Sequence, residues 1–165
     1  MANFSFDIVS EYDKSEMNNV FDQSVREIAN RYDFKGSPAE LSWLNSEKSG
    51  FKITGNSDFQ IDAILDIIRK KLSLRGLDQK VLDVSSNLIT SNLKTTKEVP
   101  FISGLNQDKA KSITKLLKEQ MPKLKTQIQG ETIRITSSKK DELQSSIQLL
   151  KNTEFNFPIN FTNFK

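Results

Sequence analysis

Lys111, Lys115 and Lys118 recur at i, i+4 and i+7, a spacing that lines side chains along one face of an α-helix, with Ile113, Leu117 and Met121 on the other side. Lys109 precedes them and Lys123 and Lys125 follow; with Glu119 as the only acid, residues 109–125 carry a net charge of +5. Such a cluster attracts phosphate, and on a nucleic acid it would act by releasing condensed counterions. A solvated polar face has the same signature, because lysine is the ordinary filler of exposed helix surface. Just downstream, strand alternation puts Gln127, Gln129, Thr132, Arg134 and Thr136 on one side and Ile128, Ile133 and Ile135 on the other. A flat polar face with one fixed cation suits base edges, ribose hydroxyls and a phosphate gripped by the planar fork of Arg134. An antiparallel sheet face left in solvent is polar by default as well.

The chain contains no cysteine and no histidine. That removes disulfides, Cys/His zinc sites, thiolate nucleophiles and any Ser-His-Asp relay. Asp58, Asp62 and Asp66 repeat at i and i+4, but carboxylates spread over two turns span roughly 12 Å at 1.5 Å per residue, too far to share one ion. No metal site and no cofactor is expected. With no carboxylate pair placed for acid–base work, the chain reads as a binding protein and not as an enzyme.

The net charge of +3 is unevenly spread: residues 1–93 hold 11 Lys/Arg against 14 Asp/Glu, and residues 94–165 hold 13 against 7. A basic second half implies an anionic partner. With no run of 18 apolar residues and no basic-then-apolar leader, the expectation is a cytoplasmic protein without a membrane partner.

The elements that must position these residues come twice. At an offset of 82, Phe51-Lys52-Ile53-Thr54 falls on Ile133-Arg134-Ile135-Thr136, and Ile61, Leu65, Ile67 and Ile68 fall on Leu143, Ile147, Leu149 and Leu150. A period near 80 suits one small domain, so the chain reads as a tandem duplication. The first copy predicts a strand from Phe4 to about Glu11, a helix from Lys14 to Tyr32, strands around Leu41–Trp43 and Phe51–Ile53, a helix capped at Ser57 or Asp58 and stopped at Gly76, and a strand over Val81–Val84. The second predicts a strand in Leu93–Ile102, a helix over Gln107–Met121, strands at Thr126–Gln129 and Thr132–Thr136, a helix over Lys139–Lys151 and a strand in Asn156–Phe164. That βαββαβ order is ferredoxin-like: an α+β domain with a four-stranded antiparallel sheet and both helices on one face. The domains are placed at 1–84 and 93–165, joined by a polar linker at 85–92, with a cleft between them as the natural ligand site. By parity Phe4, Phe6, Phe51, Phe157 and Phe161 face the helices, so base stacking in the manner of RNA-recognition modules is not expected.

Particular segments say more: Ser5-Phe6-Asp7-Ile8-Val9-Ser10-Glu11, Arg31-Tyr32-Asp33-Phe34-Lys35-Gly36, Asp58-Phe59, Gln127-Ile128-Gln129-Gly130-Glu131, Lys140-Asp141-Glu142-Leu143-Gln144 and Asn160-Phe161-Thr162-Asn163-Phe164. In collinear order over essentially the whole chain they resemble the YajQ family. The resemblance implies two tandem ferredoxin-like domains with N-terminal strands exchanged between the copies, in a cytosolic nucleotide-binding protein. Members have been linked to nucleoside triphosphates, transfer RNA and cyclic dinucleotides. Where the family tends to carry Gly-Lys after the strand at Thr136, this chain has Ser137-Ser138, with Lys139 and Lys140 beside them, and Lys165 stands where arginine is usual.

In the first copy, Arg31 and Lys35 end a helix. They read either as favourable C-terminal charges around a left-handed Gly36 with Tyr32 and Phe34 in the core, or as phosphate ligands facing the cleft. The candidate site is therefore Lys111, Lys115, Lys118, Lys123, Lys125, Gln127, Gln129, Arg134, Lys139 and Lys140 with Arg31 and Lys35, binding a nucleotide or RNA without turnover. The alternative is a regulatory adaptor that binds a protein partner and takes nucleotide as an effector.

Overall fold

The computed structural model describes residues 3–165. Along the chain run β1 (Phe4–Val9), α1 (Lys14–Asn30), a 3-10 turn at Tyr32–Phe34, β2 (Glu40–Trp43), β3 (Gly50–Gly55) and α2 (Asp58–Leu74). A second 3-10 turn at Gln79–Val81 leads to β4 (Ile89–Ser91), β5 (Lys94–Pro100), α3 (Gln107–Gln120), β6 (Lys125–Gln129), β7 (Thr132–Ser137), α4 (Lys140–Asn152) and β8 (Asn160–Thr162). The strands form two four-stranded antiparallel sheets, ordered β6-β7-β1-β8 and β2-β3-β5-β4. The ferredoxin-like arrangement occurs twice with its first strands exchanged: β1 lies inside the sheet of the second copy, and β5 inside that of the first.

Two compact units result: Tyr12–Ile102, and Ser103–Lys165 with the stretch up to Glu11. They do not coincide with segments 1–84 and 93–165, because each segment's first strand completes the other's sheet. Residues 85–92 are not a free linker either. They contain β4, which pairs with β5 through a two-residue turn whose Asn92 and Leu93 have φ of 51° and 65°. The strand expected at Val81–Val84 is replaced by the 3-10 turn, whose Asp78 carboxylate accepts the Lys80 N–H at 2.9 Å, and only a single bridge, Leu82 to Phe101, remains.

In the Tyr12–Ile102 unit, alternation makes one sheet face apolar: Leu41, Phe51, Ile53 and Val99 are buried, while Lys52 between them is exposed. Met17, Val20 and Ile28 of α1 and Ile61, Ile64, Ile68 and Leu72 of α2 cover that face. Ser57 accepts the Gln60 N–H at the start of α2, and Gly76, at φ +72°, ends it in a conformation only glycine adopts freely. In the other unit Phe6, Ile8, Ile133 and Ile135 are fully buried, together with Ile113 and Leu117 of α3 and nearly so Leu143 and Leu150 of α4. Full burial of each such side chain contributes about 1.5–3 kcal/mol.

Candidate functional site

The open face of the β6-β7-β1-β8 sheet is as polar as alternation predicts. Register sets Lys125 beside Thr136 and Ser5, and Gln127 beside Arg134, Asp7 and Thr162. Lys125, Gln127 and Gln129 are exposed on the outermost strand, and Ile128, although on the inward side, is 48% exposed because the sheet ends there.

Arg134 is not the free phosphate fork expected of it. Its Nε donates to Asp7 Oδ1 at 3.0 Å and its Nη2 to Asp7 Oδ2 at 3.4 Å, and Asn163 Nδ2 donates to the same carboxylate at 2.9 Å. The exchanged β1 supplies this partner by running antiparallel to β7 with Asp7 opposite Arg134. Hydrogen bonding to Arg134 holds the Asp7 carboxyl below its ordinary value against the opposing effect of burial, with Asn163 adding to the shift. A pKa lowered in the fold gives stability that is present above the unfolded value near ~3.9 and lost as pH falls through the folded one. Asp7→Asn, which mimics the protonated state in shape, should therefore cost about 1–2 kcal/mol at pH 7. In urea titrations the gap between variant and parent should close as pH is lowered from 5 towards 2.

Asn163 owes its position to a break in the strand. Asp7 lies opposite Thr162, whereas Ser5 exchanges both main-chain hydrogen bonds with Lys165, at 3.1 and 2.9 Å. Between these two pairs Phe6 of β1 thus faces two residues, Asn163 and Phe164, a bulge in which Asn163 takes φ 56°. The extra residue aims Asn163 at Asp7 on the open face and returns Phe164 to the helix side, where its ring stacks on Phe6 at 5.8 Å and 25°.

Phe164 remains 59% exposed and borders a cavity of about 230 Å³ lined by the start of β1, α4 and the last two residues. Phe4, Leu143, Ile147 and Phe164 give it apolar walls, Ser5 and Gln144 add hydrogen-bonding groups, and Lys140 and Lys165 are the charged side chains that line it among the described residues. Ser137, the last residue of β7, is 7% exposed and ties that strand to the first turn of α4: its Oγ accepts the Lys139 N–H at 3.0 Å and donates to Glu142 Oε2 at 2.9 Å. Parity assigned the aromatics to the core. That holds for Phe6, Phe51 and Phe157, while Phe4 and Phe161 are half-buried.

Lys111, Lys115 and Lys118 lie exposed along α3, Lys123 is exposed in the turn after it, and Lys139 and Lys140 are exposed at the start of α4. Arg31 and Lys35 belong to the other unit. Arg31 is committed locally, its Nε and Nη2 donating to Asp33 at 3.0 and 2.7 Å and its guanidinium lying 4.8 Å from the Phe34 ring centre. Gly36 is left-handed and Phe34 buried as expected, but Tyr32 is 86% exposed. Regrouping the strands also changes the charge. The unit containing β1 has 11 Lys/Arg against 8 Asp/Glu, a net +3, and the other has 13 of each, because Asp7 and Glu11 enter the basic unit while Lys94, Lys97 and Glu98 leave it.

Two exchanged ferredoxin-like units, with this cavity and polar face in one of them, define the architecture; the profile of the family described as "Nucleotide-binding protein YajQ-like" matches residues 4–165. A Pasteurella multocida protein named nucleotide-binding protein is 38% identical over 161 residues, 98% of each chain. One from Prochlorococcus marinus is 39% identical over 165 residues, covering 99% of this chain and 98% of its own, and one from Streptomyces coelicolor is 40% identical over 169 residues, all of both chains. The chain belongs to the YajQ family. No helix among the described residues is long and apolar enough to cross a membrane.

Proposed function

We propose that this protein binds a nucleotide without turning it over, in the cavity between α4, the start of β1 and the last residues of its basic unit. One observation carries the reading: among the described residues this cavity combines apolar walls and an accessible aromatic ring with two lysines and no acidic side chain. A base can stack on the free side of Phe164, with Ser5 and Gln144 within its rim and Lys140 and Lys165 beside its phosphates. Among the described residues no Asp or Glu side chain lines the cavity, so no carboxylate side chain stands beside a bound phosphoanhydride to act as its general base. Family membership and the names of the relatives support the ligand class.

The α3 lysines supply a second, longer-range attraction. They do not line the cavity, and they matter most for a ligand with many phosphates, such as an RNA. The test is equilibrium binding of ATP, a cyclic dinucleotide and transfer RNA at 50 and 200 mM salt. A Lys111→Ala, Lys115→Ala, Lys118→Ala variant should bind ATP within about twofold of the parent, while the salt slope for RNA falls by about 2–3 for three lost phosphate contacts. Absence of affinity for every ligand at low salt would contradict the proposal. A cytoplasmic setting fits this reading.

A further inference from the structure

β2 is the outermost strand of its sheet. The Leu44 N–H donates to the Gly50 carbonyl at 2.8 Å, and the register runs Trp43 to Phe51, Ser42 to Lys52, Leu41 to Ile53 and Glu40 to Thr54. In an antiparallel ladder bonded and non-bonded pairs alternate, so Leu44, Ser42 and Glu40 bond to β3 while Leu41 and Trp43 do not. The other side of β3 agrees: the Phe101 N–H donates to the Ser49 carbonyl at 2.9 Å, so Phe51 and Ile53 bond to β5 and only the even-numbered residues of β3 serve β2. The main-chain N–H and C=O groups of Leu41 and Trp43 thus point away from the sheet, and no partner for them occurs among the described residues.

Beside this edge lies a cavity of about 310 Å³ between α1 and β2, walled by Val25, Ile28, Ala29, Phe34, Ala39 and Leu41 and bordered by Lys35 and Glu40. Of the devices that stop edge pairing, β2 carries no proline, bulge or inward charge within its span; its protection is its length of four residues and the exposed Glu40 at its start, which leave Leu41 and Trp43 open to a short segment. Two observations therefore coincide: a row of unused strand-pairing groups, and an apolar hole on the same side of the sheet as Leu41.

We propose that this edge docks an extended peptide segment of another protein, which adds to the sheet as a fifth strand outside β2. Paired with Leu41, one ligand residue directs its side chain into the cavity. The residue two further on lies beside Trp43, whose half-buried ring has the Lys48 ammonium 5.1 Å from its centre. The edge thus selects an apolar-x-apolar segment in β conformation, with main-chain bonds giving affinity and the cavity giving selectivity. The exposed Tyr32 and the half-exposed Val25 lie on elements that flank the cavity, and neither is needed by the core of this unit.

The probe is a phage-displayed library of random dodecapeptides panned on the full chain, followed by synthetic copies of the enriched sequence. Enrichment of alternating apolar-x-apolar sequences is expected. Val25→Arg, a change at a position 36% exposed, should weaken the synthetic peptide about tenfold or more by placing a charge over the cavity. N-methylation should also cost about tenfold, but only at alternate amides, because only every second N–H of an added strand faces β2. No enrichment, affinity indifferent to Val25→Arg, or equal sensitivity to methylation at every amide would overturn the proposal. So would a parent chain already dimeric in solution and made monomeric by Val25→Arg, since a second copy would then occupy the edge.

Discussion

Fragment 12–102 should fold cooperatively by itself, and fragment 93–165 should not fold at all. The first holds a complete sheet, β2-β3-β5-β4, with α1, α2 and the core from Met17 to Val99. The second lacks β1, the strand hydrogen-bonded on both sides by β7 and β8. Loss of β1 removes the fully buried Phe6 and Ile8, together about 3–6 kcal/mol of burial, besides two ladders of main-chain bonds. Against a typical domain stability of 5–15 kcal/mol that deficit is decisive. Circular dichroism with thermal melting reads it directly: one sigmoidal transition for 12–102, none for 93–165, and recovery of a transition when a peptide spanning residues 1–11 is added. A cooperative melt from 93–165 alone would mean that β1 is dispensable and that the exchange does not hold the basic unit together.

Phe164→Ala should weaken ATP binding about 5- to 150-fold, the loss expected when one base–aromatic stack worth about 1–3 kcal/mol is removed. The ring is suited to this role because one side rests on Phe6 and much of the rest is accessible, so it is held in place without being used up by the core. Loss of the stack on Phe6 should lower the thermal midpoint by a few degrees while the melt stays cooperative, which separates loss of binding from loss of fold. Isothermal titration calorimetry of parent and variant gives the ratio. An unchanged affinity would remove the stacking role of Phe164, and with it the case for this cavity over the open face beside Arg134.

Much of the fold is written in the period of the apolar residues. Phe4, Phe6 and Ile8 at period two, and Ile61, Ile64, Leu65, Ile68 and Leu72 at helical spacing, specify their elements because burial on one face is a local demand that the chain meets by itself. Pairing partners are not local. Nothing in residues 85–92 distinguishes a polar linker from a short edge strand, since Ile89–Ser91 is exposed throughout and gains its conformation from β5. The site followed the same division. The polar parity of Gln127, Arg134 and Thr136 was legible, but the commitment of Arg134 to Asp7 follows only from placing β1 against β7. The strand exchange implied by the resemblance puts β1 beside β7 and parity turns Asp7 outward, but the register that sets Asp7 opposite Arg134 comes from the paired strands. Phe164 was beyond such reasoning: it follows a bulge, and one extra residue inverts the side to which each later side chain points.

The most direct test is an amide chemical-shift titration of the isotopically labelled full chain with ATP. Saturable shifts concentrated at Ser5, Leu143, Gln144, Ile147 and Phe164 are predicted, with the α3 amides and those of Tyr12–Ile102 nearly still. Shifts centred on α3 or on the Tyr12–Ile102 unit, or none at millimolar ATP, would contradict a nucleotide site in the α4 cavity.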